Sequence, residues 1–134
     1  MCIRDRYISI HIESKGDISK SLNKIKNNNI KAGLAINPDT KISDLHQYIK
    51  LIDMVIIMSV YPGKGGQKFI ENTFDRVKML RKSSKNIDIS VDGGVSSLNS
   101  YNLISNGAST LVSGSFLMKS ENINDSIKNM LKDS

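Results

Sequence analysis

Met54-Val-Ile-Ile-Met-Ser-Val-Tyr-Pro-Gly-Lys-Gly-Gly-Gln-Lys-Phe69 is an apolar run that ends abruptly in Pro62 and three glycines. From Met54 to Val60 both faces of a pleat are apolar, the pattern of a parallel strand covered on each side rather than a half-solvated antiparallel one. Pro62 denies the strand further ladder bonds. Gly63, Gly65 and Gly66 permit positive φ and close approach of the backbone to a ligand. Ile70, Phe74, Val77 and Leu80 then recur at helical spacing. The unit is strand, glycine loop, helix.

The same unit recurs on either side. Tyr7 to Glu13 alternates, with Ile8, Ile10 and Ile12 opposite Ser9, His11 and Glu13. Asp17 is placed to cap a helix carrying Ile18, Leu22 and Ile25, which stops at Asn27-Asn28-Asn29. A second strand runs from Ala32 to Asn37 and closes at Pro38; a helix with Ile42, Leu45, Ile49 and Ile52 on its buried face is expected after it. The fourth strand is Ile87 to Asp92, ending in Gly93-Gly94. Ser96 or Ser97 is expected to cap the following helix, with Leu98, Tyr101 and Ile104 on its apolar face and Asn106-Gly107 as a left-handed stop. Ser109 to Val112 is the fifth strand. It ends at Gly114-Ser115, before a short apolar turn and a last helix on Ile123, Ile127 and Met130.

Five strands, each followed by a helix, imply an α/β chain with a parallel sheet and right-handed crossovers: an open doubly wound sheet, or part of a (β/α)₈ TIM barrel. In a barrel the outward face of each strand meets helices, while inward residues near the C-terminal ends line the active site. His11 and Asp92 lie near strand ends, on the face opposite the Ile/Val rows. That favours the barrel. Eight strands are needed, so five β-α units are a partial barrel.

Composition excludes several classes. The 134 residues are 39% hydrophobic, enough for a single core, and the net charge of +6 is spread along the chain without a basic stripe interleaved with aromatics. Nucleic acid is not an expected partner. One cysteine, Cys2, cannot form an internal disulfide and fits a reducing compartment. No signal peptide and no membrane-spanning run is seen, so the expected location is cytoplasmic.

Asp92, a carboxylate at a strand end before two glycines, suits a general acid/base or a metal ligand. It also suits a plain turn cap, and the pattern alone leaves both open. A lone strand histidine such as His11 is more often a hydrogen-bonded core residue than a ligand, although its parity with Asp92 narrows that gap. Glu13 reads as a solvated strand end in preference to a partner for His11, His46 as a surface residue, and Met58 as core. Glycines at three successive strand ends, in Gly63-Lys-Gly-Gly66, Gly93-Gly94 and Gly114-Ser115, suggest an anion held by backbone N–H groups.

Ile10-His-Ile-Glu13, Ala35-Ile-Asn-Pro38, Ile57-Met-Ser-Val60 with Pro-Gly-Lys-Gly-Gly-Gln67, Val91-Asp-Gly-Gly-Val95 and Gly114-Ser115 together resemble ribulose-phosphate 3-epimerase in order and spacing. The resemblance covers residues 7–134, which correspond to strands four to eight of the barrel; residues 1–6 do not resemble the family and read as a foreign leader. It implies an isomerase that interconverts D-ribulose 5-phosphate and D-xylulose 5-phosphate in the pentose phosphate pathway by proton transfer at C3, usually as a homo-oligomer. It further implies a divalent metal, zinc first, with Fe, Mn or Co as alternatives. On this reading His11 and Asp92 are metal ligands that also contact substrate, and Asp92 is catalytic. Met58, Gly63, Gly65 and Gly66 meet the sugar, and Gly93, Gly94, Gly114 and Ser115 hold the phosphate. Lys64 departs from the family's usual aromatic. The first metal histidine and the first catalytic aspartate have no counterpart, so a truncated chain without activity of its own is expected. The alternatives are an epimerase for another ketose phosphate and a non-catalytic phosphate-binding half-barrel.

Overall fold

The computed structural model describes residues 6–63 and 67–131. Lys64, Gly65 and Gly66 therefore lie outside the described residues. β1 (Tyr7–His11), β2 (Lys31–Ile36), β3 (Met54–Met58), β4 (Asp88–Asp92) and β5 (Thr110–Val112) form one sheet in sequence order, every neighbouring pair parallel. The helices are α1 (Ile18–Asn27), α2 (Thr73–Ser83), α3 (Ser100–Ser105), α4 (Ser115–Met118) and α5 (Ile123–Leu131). The result is an α/β partial barrel, with each strand close to the run that its pattern marked.

The caps explain where helices begin and end. The Asp17 side chain accepts the Lys20 N–H at 2.9 Å to start α1, and Asn29 takes φ 58 just beyond its end. α3 closes in a Schellman arrangement: Gly107 N–H donates to Ile104 O at 2.9 Å, Ala108 N–H donates to Leu103 O at 3.0 Å, and Gly107 sits at φ 114.

Two expectations are corrected. The segment after β2 is not an α-helix; it forms a 3₁₀ turn at Ile42–Leu45 and continues as turns, with Asp44, His46, Tyr48 and Leu51 each donating three residues back. Ile42, Leu45 and Ile52 are buried as expected, while Ser43 and Asp44 are weak helix formers that favour the tighter turn. The second correction concerns α3. Leu98 is 93% exposed and Tyr101 51%, whereas Ser100 and Leu103 are buried. Asn99 Oδ1 accepts from Ser96 N–H and Ser96 Oγ from Leu98 N–H, so this segment is a non-helical turn and the helix starts at Ser100, with its buried face set by Leu103.

Register fixes which residues share a face. His11 stands beside Ala35, Ala35 beside Ile56 and Ile56 beside Ser90. Side chains alternate along a strand, so Asp92, two residues beyond Ser90, shares the face of His11. The opposite face carries Leu34, Ile36, Val55, Ile57, Ile89 and Val91, all fully buried, and packs against Leu22, Val77, Leu80 and Leu103 of the helices. Each such side chain contributes about 1.5–3 kcal/mol relative to exposure. The polar face is the concave one. Tyr7 OH on β1 donates to Asp88 Oδ2 on β4 at 2.8 Å, although these strands are three spacings apart, about 14 Å on a flat sheet; the sheet must curl toward that face for the pair to meet. Among the described residues no helix is long and apolar enough to cross a membrane.

Candidate active site

The C-terminal ends of β3, β4 and β5 converge on one cleft of about 370 Å³. Met58, Gly63, Asp92, Gly93, Gly94, Gly114 and Ser115, all singled out from sequence, line it together with Val60, Tyr61, Gln67 and Val112. His11 is not in its lining. It lies at the end of β1 on the same face, its side chain 40% exposed, and in register it is two residues short of the level of Asp92. A cleft of about 480 Å³ opens at the N-terminal strand ends between Tyr7, Lys31, Asp53, Lys85 and Asp88. In barrels of this construction chemistry is carried by the opposite end, and that is where the predicted residues gather.

The loop after β4 is shaped by what holds it. Gly93 has φ 119 and Gly94 φ 62. A Cβ on Gly93 would overlap Val60 Cγ2, and one on Gly94 would come within 3.0 Å of Phe69 N, so both conformation and space demand glycine. The buried Ser59 hydroxyl lies within hydrogen-bond reach of the carbonyls of Asp92 and Gly93, Asn99 Nδ2 donates to Gly94 O at 3.0 Å, and Ser113 Oγ donates to Val95 O at 2.8 Å. These bonds tie four successive carbonyls of the loop to the scaffold and fix its path. Burial raises the Asp92 carboxyl above its ordinary value, because the cleft wall excludes water from the charged form.

Around His11 the structure departs from the sequence reading. Glu13 is not a free strand end. The chain turns after β1, with Ser14 N–H donating to His11 O at 3.1 Å, and brings Glu13 Oε2 to 3.4 Å from His11 Nδ1. Glu13 Oε1 accepts from Asn37 N–H at 2.9 Å and from the Thr40 hydroxyl. Partial burial opposes the Glu13 charge, but the bonds from Thr40, Asn37, its own backbone and His11 outweigh it and hold the carboxyl below its ordinary value.

Arg76 was missed altogether. It is 6% exposed, and its guanidinium donates to Asn37 O at 2.8 Å, Thr40 O at 3.0 Å and Met58 O at 3.3 Å. Burial lowers its proton affinity first of all, with Asp39 and Glu13 acting in the opposite sense. The signal was present: Thr73, Arg76 and Leu80 fall on the buried side of α2 at helical spacing.

As metal donors, an imidazole and a carboxylate suit a borderline divalent cation, and Glu13 Oε2 stands 3.4 Å from His11 Nδ1, the side from which a carboxylate can orient such a ring. Their number falls short. Among the described residues no group of three His, Cys, Asp or Glu is placed to hold a metal ion, whereas catalytic zinc generally takes three protein ligands.

A sequence profile of the ribulose-phosphate 3 epimerase family matches residues 2–118. The chain belongs to this family. Ribulose-5-phosphate-3-epimerase of the Arabidopsis thaliana chloroplast is 39% identical over 127 residues, spanning 90% of this chain and 45% of that protein. The ribulose-phosphate 3-epimerase of Serratia marcescens is 40% identical over 113 residues, 81% of this chain and 54% of its own; that of Escherichia coli is 38% identical over 112 residues, 81% and 50%. This epimerase-family chain thus spans about half the length of the curated relatives it matches. Among solved structures, that of the Amycolatopsis orientalis BexX/CysO complex superposes with a TM-score of 0.63 at 18% identity over 84% of this chain and 44% of that one. Thiamine phosphate pyrophosphorylase from Pyrococcus furiosus superposes with a TM-score of 0.52 at 12% identity, over 95% and 81%. At such identities the likeness is one of fold.

Proposed function

We propose that residues 7–134 are the C-terminal part of a ribulose-phosphate 3-epimerase barrel, and that they supply the phosphate cradle, one proton-transferring carboxylate and half of a metal site. The observation that carries this reading is the meeting of Asp92 with the Gly93-Gly94 loop and Gly114-Ser115 in one cleft at the C-terminal strand ends of a family member. The substrate is a ketopentose phosphate, D-ribulose 5-phosphate or D-xylulose 5-phosphate, and the enzyme then belongs to pentose phosphate metabolism.

In this reading the phosphate is held by backbone N–H groups of the Gly93-Gly94 loop with Gly114 and Ser115, and the sugar extends past Met58 and Gly63. Gly65 and Gly66, outside the described residues, are assigned to the sugar by the family resemblance alone. Asp92, raised in proton affinity by its wall, takes or returns the proton at C3 from one face of the sugar. Inversion requires a second acid/base on the other face, and that group comes from outside residues 7–134. His11 and Asp92 are donors to a divalent cation, zinc in the first place, with Fe, Mn or Co as substitutes; when bound it supplies Lewis-acid stabilisation of the anion that C3 deprotonation creates. The enzyme is read as cytoplasmic and homo-oligomeric when complete, with no nucleic-acid or membrane partner.

The absence of a three-donor group among the described residues favours one other reading, a phosphate-binding half-barrel without catalysis. Mixing this chain with a separately expressed segment carrying a relative's first three strands separates them. Epimerase activity and metal binding that appear only in the mixture support the proposal. Phosphate binding by this chain, with no activity in any folded mixture, supports the half-barrel. Sulfate inhibition measured across a substrate series, weakened by Gly114→Val, tests the cradle itself; an epimerase unaffected by sulfate would reduce these glycines to turns.

A further inference from the structure

Two strand ends meet at a buried cation that the chemistry above does not use, and a third is tied to it through Glu13. Asn37 and Thr40, at the end of β2, are each bound at two points: their carbonyls accept from Arg76 Nη2 at 2.8 and 3.0 Å, while the Asn37 N–H and the Thr40 hydroxyl donate to Glu13 Oε1. The loop between them is clamped between a guanidinium in the core and a carboxylate at the surface. The other Glu13 oxygen stands 3.4 Å from His11 Nδ1. Arg76 Nη1 also donates to Met58 O at 3.3 Å, which ties the end of β3 to the same point.

We propose that Arg76 is a positioning residue: through Asn37, Thr40 and Glu13 it sets the ring orientation and tautomer of His11, keeping the proton on Nδ1 and the lone pair on Nε2. The physical reason is geometric. A carboxylate can fix an imidazole only if it is itself fixed, and the Glu13 side chain, 32% exposed, has its rotamer held by the two donors of the β2 loop. Those donors are aimed because the carbonyls of the same residues are anchored on a planar fork that cannot lose its charge. A lysine in its place has no rigid fork and aims the donors less well. The inference rests on His11 as a metal ligand for its meaning, but its content is the state of one ring.

The chain has two histidines, His11 and His46, and His46 is exposed beside the 3₁₀ turn, away from the Arg76 clamp. Long-range ¹H–¹⁵N spectra of the imidazoles, recorded on this chain in the neutral ring state, read both tautomers at once. The expected wild-type result is Nδ1–H for His11 and the mixture of an unrestrained ring for His46. Thr40→Val removes one aimed donor without touching the core and should move His11 toward the mixture. Arg76→Met should move it further and Arg76→Lys less far, with His46 unchanged in all three. Zinc titrated onto the same samples should bind about 10-fold more weakly in Thr40→Val than in wild type. An Nδ1–H tautomer that persists in Thr40→Val and in the folded Arg76 variants would overturn the proposal, as would equal changes at both rings. If Arg76→Met does not fold, Thr40→Val and Arg76→Lys decide. Failure of the epimerase reading would leave the tautomer result standing, so the two can be told apart.

Discussion

At the scale of the residue, two carboxylates on the concave side answer to opposite forces. Asp92 is raised by burial. A group whose folded pKa lies above its unfolded value contributes stability that is present below the unfolded pKa and is lost as pH rises through the folded one. Asp92→Asn is therefore expected to be at least as stable as wild type at neutral pH, the difference closing as pH falls toward the ordinary Asp value; urea midpoints across pH, with chelator present, measure it. In the complete enzyme the same substitution should lower turnover ~10²–10⁴-fold by removing the acid/base group. Near-normal turnover in a folded Asn variant would remove Asp92 from the chemistry. Glu13 is depressed, so its contribution is present above the unfolded pKa and disappears as pH falls through the folded one. Glu13→Gln should cost about 0.5–1 kcal/mol at neutral pH, the range of a hydrogen-bonded carboxylate discounted for its exposure. That deficit should vanish in acid. A deficit independent of pH would mean that shape, not charge, holds the β2 loop.

Between β4 and α3 the decisive element is the loop that begins at Gly93. Gly93→Ala imposes φ 119 on a residue with a Cβ and drives that Cβ into Val60. Backbone strain alone is worth about 1–3 kcal/mol. Pairing it with Val60→Ala should relieve the overlap but not the dihedral, so a double-mutant cycle by denaturant unfolding should recover only part of the loss. Full recovery would mean the backbone tolerates alanine there. Gly114 is the contrast: a Cβ added there would meet nothing within 4 Å, and its φ is −98. Gly114→Val should leave stability nearly unchanged and raise KM in the complete enzyme, because the space it fills is the space proposed for the phosphate. The segment after β2 carries a different lesson: Ile42, Leu45 and Ile52 reach the core as their spacing marked, yet the backbone that carries them turns three residues at a time and forms no α-helix.

For the molecule as a whole, the sheet is open. Among the described residues β1 and β5 each have one neighbour, and Ile8 at 40% and Val112 at 42% exposure stand on these edge strands. Unpaired edges beside apolar side chains recruit other strands. The isolated chain should therefore associate with rising concentration in light-scattering chromatography, bind zinc weakly and show no epimerase activity. A monomeric chain with activity and one tightly bound metal would require a ligand set other than His11 and Asp92. The exposed Leu98 and Met118, at 93% and 81%, add apolar surface that no described element covers.

Alternation and loop chemistry by themselves determined that this chain has five parallel strands, and that His11 and Asp92 share the polar face. Strand parity is a local property with a period of two, and a glycine pair after an apolar run is a local stop; neither needs the rest of the molecule. The residues proposed for the phosphate cradle were legible for the same reason, being consecutive at strand ends. Glu13 and Arg76 were not legible in their roles. Glu13 meets Asn37 and Thr40 across 24 and 27 positions, and Arg76 meets the same pair across 39 and 36. Only the packing of α2 beneath the ends of β2 and β3 brings these partners together. The exposure of Leu98 was also decided by the tertiary structure: Leu98 sits in the turn before α3, and Leu103, inside the helix, is the side chain that reaches the core. Sequence periodicity assigns each residue to a face, and the tertiary structure decides what that face meets.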